Sequence, residues 1–176
     1  MTAIVDGSLG FTAPVGAVYN GLQTGTAVAS TSGTSITFTG IPSWVKRITV
    51  MFNGVSTSGS SYLQVQLGAG SVTTTGYLGV IGYINNGSPT VTANLTTGLG
   101  VSANNGATDI RYGNATITNV SGNVWTHTAS IGLSSSSSYG LASGGISLSG
   151  TLDRVRITTV NGTDTFDAGS INILFE

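Results

Sequence analysis

A chain of 176 residues with no cysteine, one histidine and only 6% charged residues excludes disulfide staples, thiolate metal sites and charge-driven disorder. Its net charge of −1 supplies no long-range field for nucleic acid or anionic lipid, and little self-repulsion to oppose association. No apolar run is long enough for a membrane-spanning helix. Met1 to Phe11 lacks the basic start and apolar core of a secretory signal, so the product is expected to be made in the cytoplasm and to stay there at first.

Residues 1–30 carry scattered apolar positions, among them Ile4, Val5, Leu9, Phe11 and Leu22, broken by Gly7, Gly10, Pro14 and Gly16. Such a segment builds no core alone and is expected to be an extended docking arm ahead of a domain over 31–176. Within that domain, period-two alternation marks strands. Ile36 and Phe38 share a face, as do Ile48, Val50 and Phe52, and then Leu63, Val65 and Leu67. Ile117 and Val120 mark a short strand. Trp125, His127, Ala129, Ile131 and Leu133 occupy one face of the next. Residues 134–145, SSSSSYGLASGG, are expected to form a low-complexity loop. Ile146 and Leu148 give way to the opposite parity at Val155 and Ile157, which predicts a bulge or bend near 151–154. Ile171, Ile173 and Phe175 close the pattern.

The 27 glycines fall too regularly for helices, each costing about 1 kcal/mol inside one. Asn53-Gly54, Asn86-Gly87, Asn105-Gly106 and Asn161-Gly162 suit the positive φ of tight turns, the last being the clearest hairpin. The expectation is an all-β domain, a β-sandwich or jelly-roll-like barrel.

Catalytic chemistry finds little to use. The single histidine, His127, shares its strand face with Trp125 and reads as a sheet residue, not a base. Asp164 and Asp167 are the one close pair of acids, and cross-strand ion pairs with Arg154 and Arg156 explain them. Asn161, Asp164 and Asp167 match no calcium loop, so no metal and no cofactor is expected. Lys46 and Arg47, with Arg154 and Arg156, are too few for a nucleic-acid footprint and are assigned to strand or subunit register. Sugar stacking on exposed aromatics is the remaining binding chemistry. Tyr139, Trp125, Tyr112 and Tyr83 are the candidate ligand platforms.

Two stretches are familiar. FTGIPSWVKRITVMFNGVSTSG (38–59) and TLDRVRITTVNGTDTFDAGSINILFE (151–176) resemble segments in the C-terminal part of bacteriophage and prophage tail-fibre proteins. AIVDGSLGFTAP (3–14) is similar to phrases found just before such modules. The resemblance implies a virion structural protein, not an enzyme: a homotrimeric β-rich tip that contacts a host receptor. It carries over no catalytic residue. The leading expectation is a tail-fibre or receptor-binding subunit that contacts host surface glycan and docks onto other virion proteins through residues 1–30. The alternative is a capsid decoration protein, head fibre or tail connector, motivated by the apolar arm and the weak self-repulsion.

Overall fold

Alternating Val, Ile and Phe against Thr, Arg and Gln builds strands throughout a computed structural model that describes residues 4–6, 10–12, 21–85, 87–102, 106–134 and 137–176. The strands are β1 (Ile4–Asp6), β2 (Gly10–Thr12), β3 (Gln23–Thr24), β4 (Val28–Ala29), β5 (Ser35–Thr39), β6 (Arg47–Thr57), β7 (Leu63–Ala69) and β8 (Ser71–Val72). They continue with β9 (Leu78–Asn85), β10 (Ser88–Leu95), β11 (Leu99–Gly100), β12 (Arg111–Ser121), β13 (Val124–Leu133), β14 (Ser138–Ser147), β15 (Arg154–Thr159) and β16 (Phe166–Phe175). No helix occurs among the described residues, so none is long and apolar enough to cross a membrane.

Two antiparallel sheets pack into a β-sandwich. The large one runs β10-β9-β14-β13-β12-β6-β16-β3, with β4 also on β16, and the small one β11-β7-β15-β5, with β8 on β7. Between them lie Ile48, Val50 and Phe52 of β6, Ala115 and Ile117 of β12, and Trp125, Ala129 and Ile131 of β13. Leu63, Val65 and Leu67 of β7 and Val155 and Ile157 of β15 meet them from the other layer. The parity read for β13 holds residue by residue: 125, 127, 129, 131 and 133 are buried, with 124, 126, 128 and 130 exposed.

Several local expectations differ from the structure. β1 and β2 form a two-stranded sheet of their own. Residues 1–3, 7–9 and 13–20 of the expected arm lie outside the described residues. Gln23–Thr24 and Val28–Ala29 pair with β16, so the sandwich begins before residue 31. The parity change before Val155 is not a bulge within a strand: the chain leaves the large sheet after Ser147 and enters the small one at Arg154. Asn161-Gly162 is likewise no hairpin, because β15 and β16 belong to different sheets; Gly162, at φ 69°, turns a connection between layers. Gly54 (φ 69°) sits inside β6 instead of in a turn. A Cβ on Gly169 would lie 2.4 Å from the Gly54 carbonyl carbon, so this glycine pair lets β6 and β16 crease together at their bulges. Gly87 (φ 80°) does turn a hairpin, between β9 and β10. Asn86 and Asn105 lie outside the described residues.

The serine-rich stretch is mostly strand. β14 pairs with β13 on one side and β9 on the other, turning Ser138, Gly140 and Ala142 inward and Tyr139, Leu141 and Ser143 outward. Small inward residues are needed there, since a Cβ on Gly140 would lie 2.6 Å from the Ser102 Cβ.

Candidate functional site

Cross-strand register gathers the outward side chains of the large sheet into transverse rows. One row runs Asn53, Tyr112, Gly132, Tyr139, Ile84 and Pro89 across six strands. The next runs Met51, Asn114, Ser130, Leu141 and Gly82, and a third Thr49, Thr116, Thr128, Ser143 and Val80. Ile84 and Pro89 of the first row, Asn114, Ser130, Leu141 and Gly82 of the second, and Thr116, Thr128, Ser143 and Val80 of the third line a hollow of about 910 Å³. Val80, Ile84, Pro89 and Leu141 make its apolar side, and Asn114, Thr116, Thr128, Ser130 and Ser143 its polar floor. None of the described lining residues is charged. Leu78 and Leu141 are exposed on the same face, although an isolated domain gains nothing by placing leucine there.

Two of the four candidate aromatics belong to this face. Tyr112 and Tyr139 are 47% and 43% exposed, on strands that flank β13, and their Cα atoms are about 10 Å apart by strand spacing. The Tyr139 hydroxyl bonds Ser130 Oγ, and the Tyr112 hydroxyl leans over Gly54, so the space above Gly132 stays open. Trp125 is no platform. It is 4% exposed in the core, because its strand parity turns it between the sheets. Tyr83 packs half-buried against that core and is the one candidate aromatic among the described residues lining the hollow.

The expected ion pairs also change partners. Arg154 Nε bonds Asp153 Oδ1 at 2.8 Å, and this guanidinium holds the Asp153 carboxyl below its usual value. Arg156 directs Nε and Nη2 to Gln66 Oε1, not to an aspartate. Asp164 instead closes the loop after β15, accepting from Ser61 N at 2.9 Å and from Asn161 Nδ2 at 2.6 Å. Asp167 accepts from Ser56 Oγ. The acids follow the connection from one layer to the other, so they never come opposite the β15 arginines. Arg47 pairs with Glu176, and Lys46 Nζ donates to Asn119 Oδ1 at 3.3 Å.

Sequence reading missed Arg111. It is the largest fully buried side chain of the described chain, and its Nη1 donates to the Asp109 carbonyl at 3.1 Å. Burial lowers its pKa, against the opposing pull of Asp109 and Asp167. Parity held the signal, since 111 shares its face with Ala115 and Ile117. His127 is buried with neither ring nitrogen bonded, and burial brings its pKa from 6.5 down to about 4. A neutral imidazole sealed between sheets reaches no substrate. Among the described residues no group of three or more His, Cys, Asp or Glu is placed to hold a metal ion.

With this geometry in hand, comparison with known proteins returns nothing: no family model, no curated protein and no solved structure matches the chain. No family is shown. The hollow on the large sheet therefore has to be interpreted from its own chemistry.

Proposed function

We propose that this chain is a phage virion structural protein, a tail-fibre or receptor-binding subunit that holds host surface glycan in the hollow of the large sheet, and that it is not an enzyme. The observation that carries the reading is a hollow with no charged residue among its described lining, walled by Val80, Tyr83, Ile84, Pro89 and Leu141 and floored by hydroxyl and amide side chains, with Tyr112 and Tyr139 exposed on the same sheet face. Neutral sugars present apolar ring faces to aromatics and hydroxyls to groups such as Asn114, Thr116 and Ser130. The likeness of residues 38–59 and 151–176 to tail-fibre segments supports the same reading.

The test is a glycan array probed with purified protein, repeated with Tyr112→Ala and Tyr139→Ala. Binding that falls at least about tenfold in both variants, with unchanged melting temperature, is the expected result. Absence of binding to any glycan or to sensitive cells overturns it.

A second reading rests on Leu78, Val80, Ile84 and Leu141, which leave this same face apolar. In a capsid decoration protein, head fibre or tail connector, that face would be covered by another subunit, a homotrimer being the simplest closed arrangement. Antibody labelling of virions separates the two: label at the tail tip supports adhesion, and label on the head or neck supports the structural role. A monomer in light scattering at micromolar concentration removes the trimer.

A further inference from the structure

On the opposite side of the sandwich, the outer face of the small sheet carries a pocket of a different kind. Register places Gln66, Arg156 and Thr37 in one transverse row, and Gln64, Thr158 and Ser35 in the next. Connecting segments on either side of β9 and β10 bring Thr74 and Thr97 over the glutamines, leaving a pocket of about 280 Å³.

Its walls are fixed by hydrogen bonds. Gln66 Nε2 donates to the Thr97 carbonyl at 2.7 Å, which turns Gln66 Oε1 toward Arg156. Thr97 Oγ1 donates to Gln64 Oε1 at 3.0 Å, and Gln64 Nε2 donates to the Thr159 carbonyl at 3.4 Å. Both glutamines are more than nine-tenths buried, an unusual place for amides unless they are positioning something.

What they position is a cation without a counter-charge. Arg156 Nε and Nη2 reach Gln66 Oε1 at 2.8 and 2.5 Å, so one edge of the guanidinium is held by a neutral amide. Among the described residues, its Nη1 group has no hydrogen-bond partner and no Asp or Glu lines the pocket. The neighbouring Arg154 already has Asp153. The end of the Arg156 fork, with one N–H from each Nη, is thus free to meet two oxygens of a single group.

We propose that this pocket binds a sugar acid, with its carboxylate on Arg156 and its hydroxyls on the surrounding threonine and glutamine side chains. One uncompensated positive charge calls for a monoanion. A pocket walled by Thr34, Thr74 and Thr97 has room and hydrogen-bonding capacity beyond a bare carboxylate. The inference does not depend on the large-sheet hollow holding glycan, because the two sites lie on opposite faces.

The test is calorimetric titration of the intact chain with glucuronate, glucose and inorganic phosphate, for the parent, Arg156→Lys and Gln66→Glu. Glucuronate is expected to bind at least about tenfold more tightly than glucose or phosphate. Arg156→Lys keeps the charge but loses the fork, and is expected to weaken glucuronate at least about tenfold with the melting temperature unchanged. Gln66→Glu supplies an internal carboxylate and is expected to abolish binding by occupying Arg156. Equal binding of glucose and glucuronate, equal binding of phosphate, an unaffected Arg156→Lys, or no binding by any of the three would each overturn the proposal. Tyr139→Ala should leave this titration unchanged, which separates failure here from failure of the glycan reading.

Discussion

The two outer faces of the sandwich solve the same problem in opposite ways. The large sheet leaves its face bare: Leu78, Ile84, Tyr139 and Leu141 stand exposed on it, and no described residue lining its hollow is charged. The small sheet covers its face. Residues 63–68 of β7 are buried on both sides: Thr97 bonds the outward Gln64 and Gln66, and the core residue Tyr77 bonds the backbone of Leu67. The Tyr77 hydroxyl takes the place of a strand partner, accepting from Leu67 N at 2.7 Å and donating to the Thr73 carbonyl at 3.0 Å, and burial pushes its pKa up to about 12. One face keeps apolar surface available and the other spends its polar groups on itself, apart from Arg156. Exposed apolar surface of this kind marks interaction sites in proteins generally.

Changes to the molecule can break or sharpen that contrast. The largest effect should come from Gly169→Val, which places a branched side chain against the Gly54 backbone at φ 88° and damages the crease beneath Tyr112. A loss of about 3–5 kcal/mol in denaturant unfolding is expected from strain and overpacking together. Acid should act next, on both faces at once. The unfolded chain takes up a proton on His127 near pH 6.5, the folded chain only near about 4. Stability is therefore full above pH 6.5 and falls by about 3 kcal/mol as the pH drops through that window. Thermal melts across the window check the slope, and His127→Leu should flatten it. Tyr77→Phe should cost about 1–3 kcal/mol by stranding the Leu67 N–H, and should raise amide exchange in β7 before β13. Leu141→Ser should change monomer stability by less than about 0.5 kcal/mol. If that face is used, the same variant should weaken glycan binding or self-association, measured on the array or by light scattering.

Much of the fold was readable in the sequence wherever large apolar residues alternate. β6, β7, β13 and β16 could be traced from Ile48-Val50-Phe52, Leu63-Val65-Leu67, the run from Trp125 to Leu133, and Ile171-Ile173-Phe175. β14 could not, because there the small residues Ser138, Gly140 and Ala142 face inward while Tyr139 and Leu141 face outward, and what places them is the closeness of Ser102 and β9. Sheet membership was also hidden. Asn161-Gly162 looks like a hairpin turn in sequence, yet the strands on either side bond to different partners, a long-range choice that no local signal records. Of the candidate aromatics, parity separates three: Tyr112 and Tyr139 are exposed and Trp125 is buried, while Tyr83, half-buried, lines the hollow. The Arg156 pocket was illegible, since Gln64 and Gln66 alternate with leucine and valine as solvent-facing residues do, and their cover comes from residues 73–77 and 96–98.

The repeated passage of the chain between layers has a further consequence. It crosses from β4 to β5, β5 to β6, β6 to β7, β8 to β9, β10 to β11, β11 to β12, β14 to β15 and β15 to β16. Neither sheet is a contiguous piece of sequence, so the molecule is laced, not stacked. A fragment that keeps one layer must carry most of the other, and complementary halves should not reassemble as two independent sheets would. Pulling the layers apart would mean drawing these connections tight before the core could open, a form of mechanical resistance that follows from the route of the chain more than from any one contact.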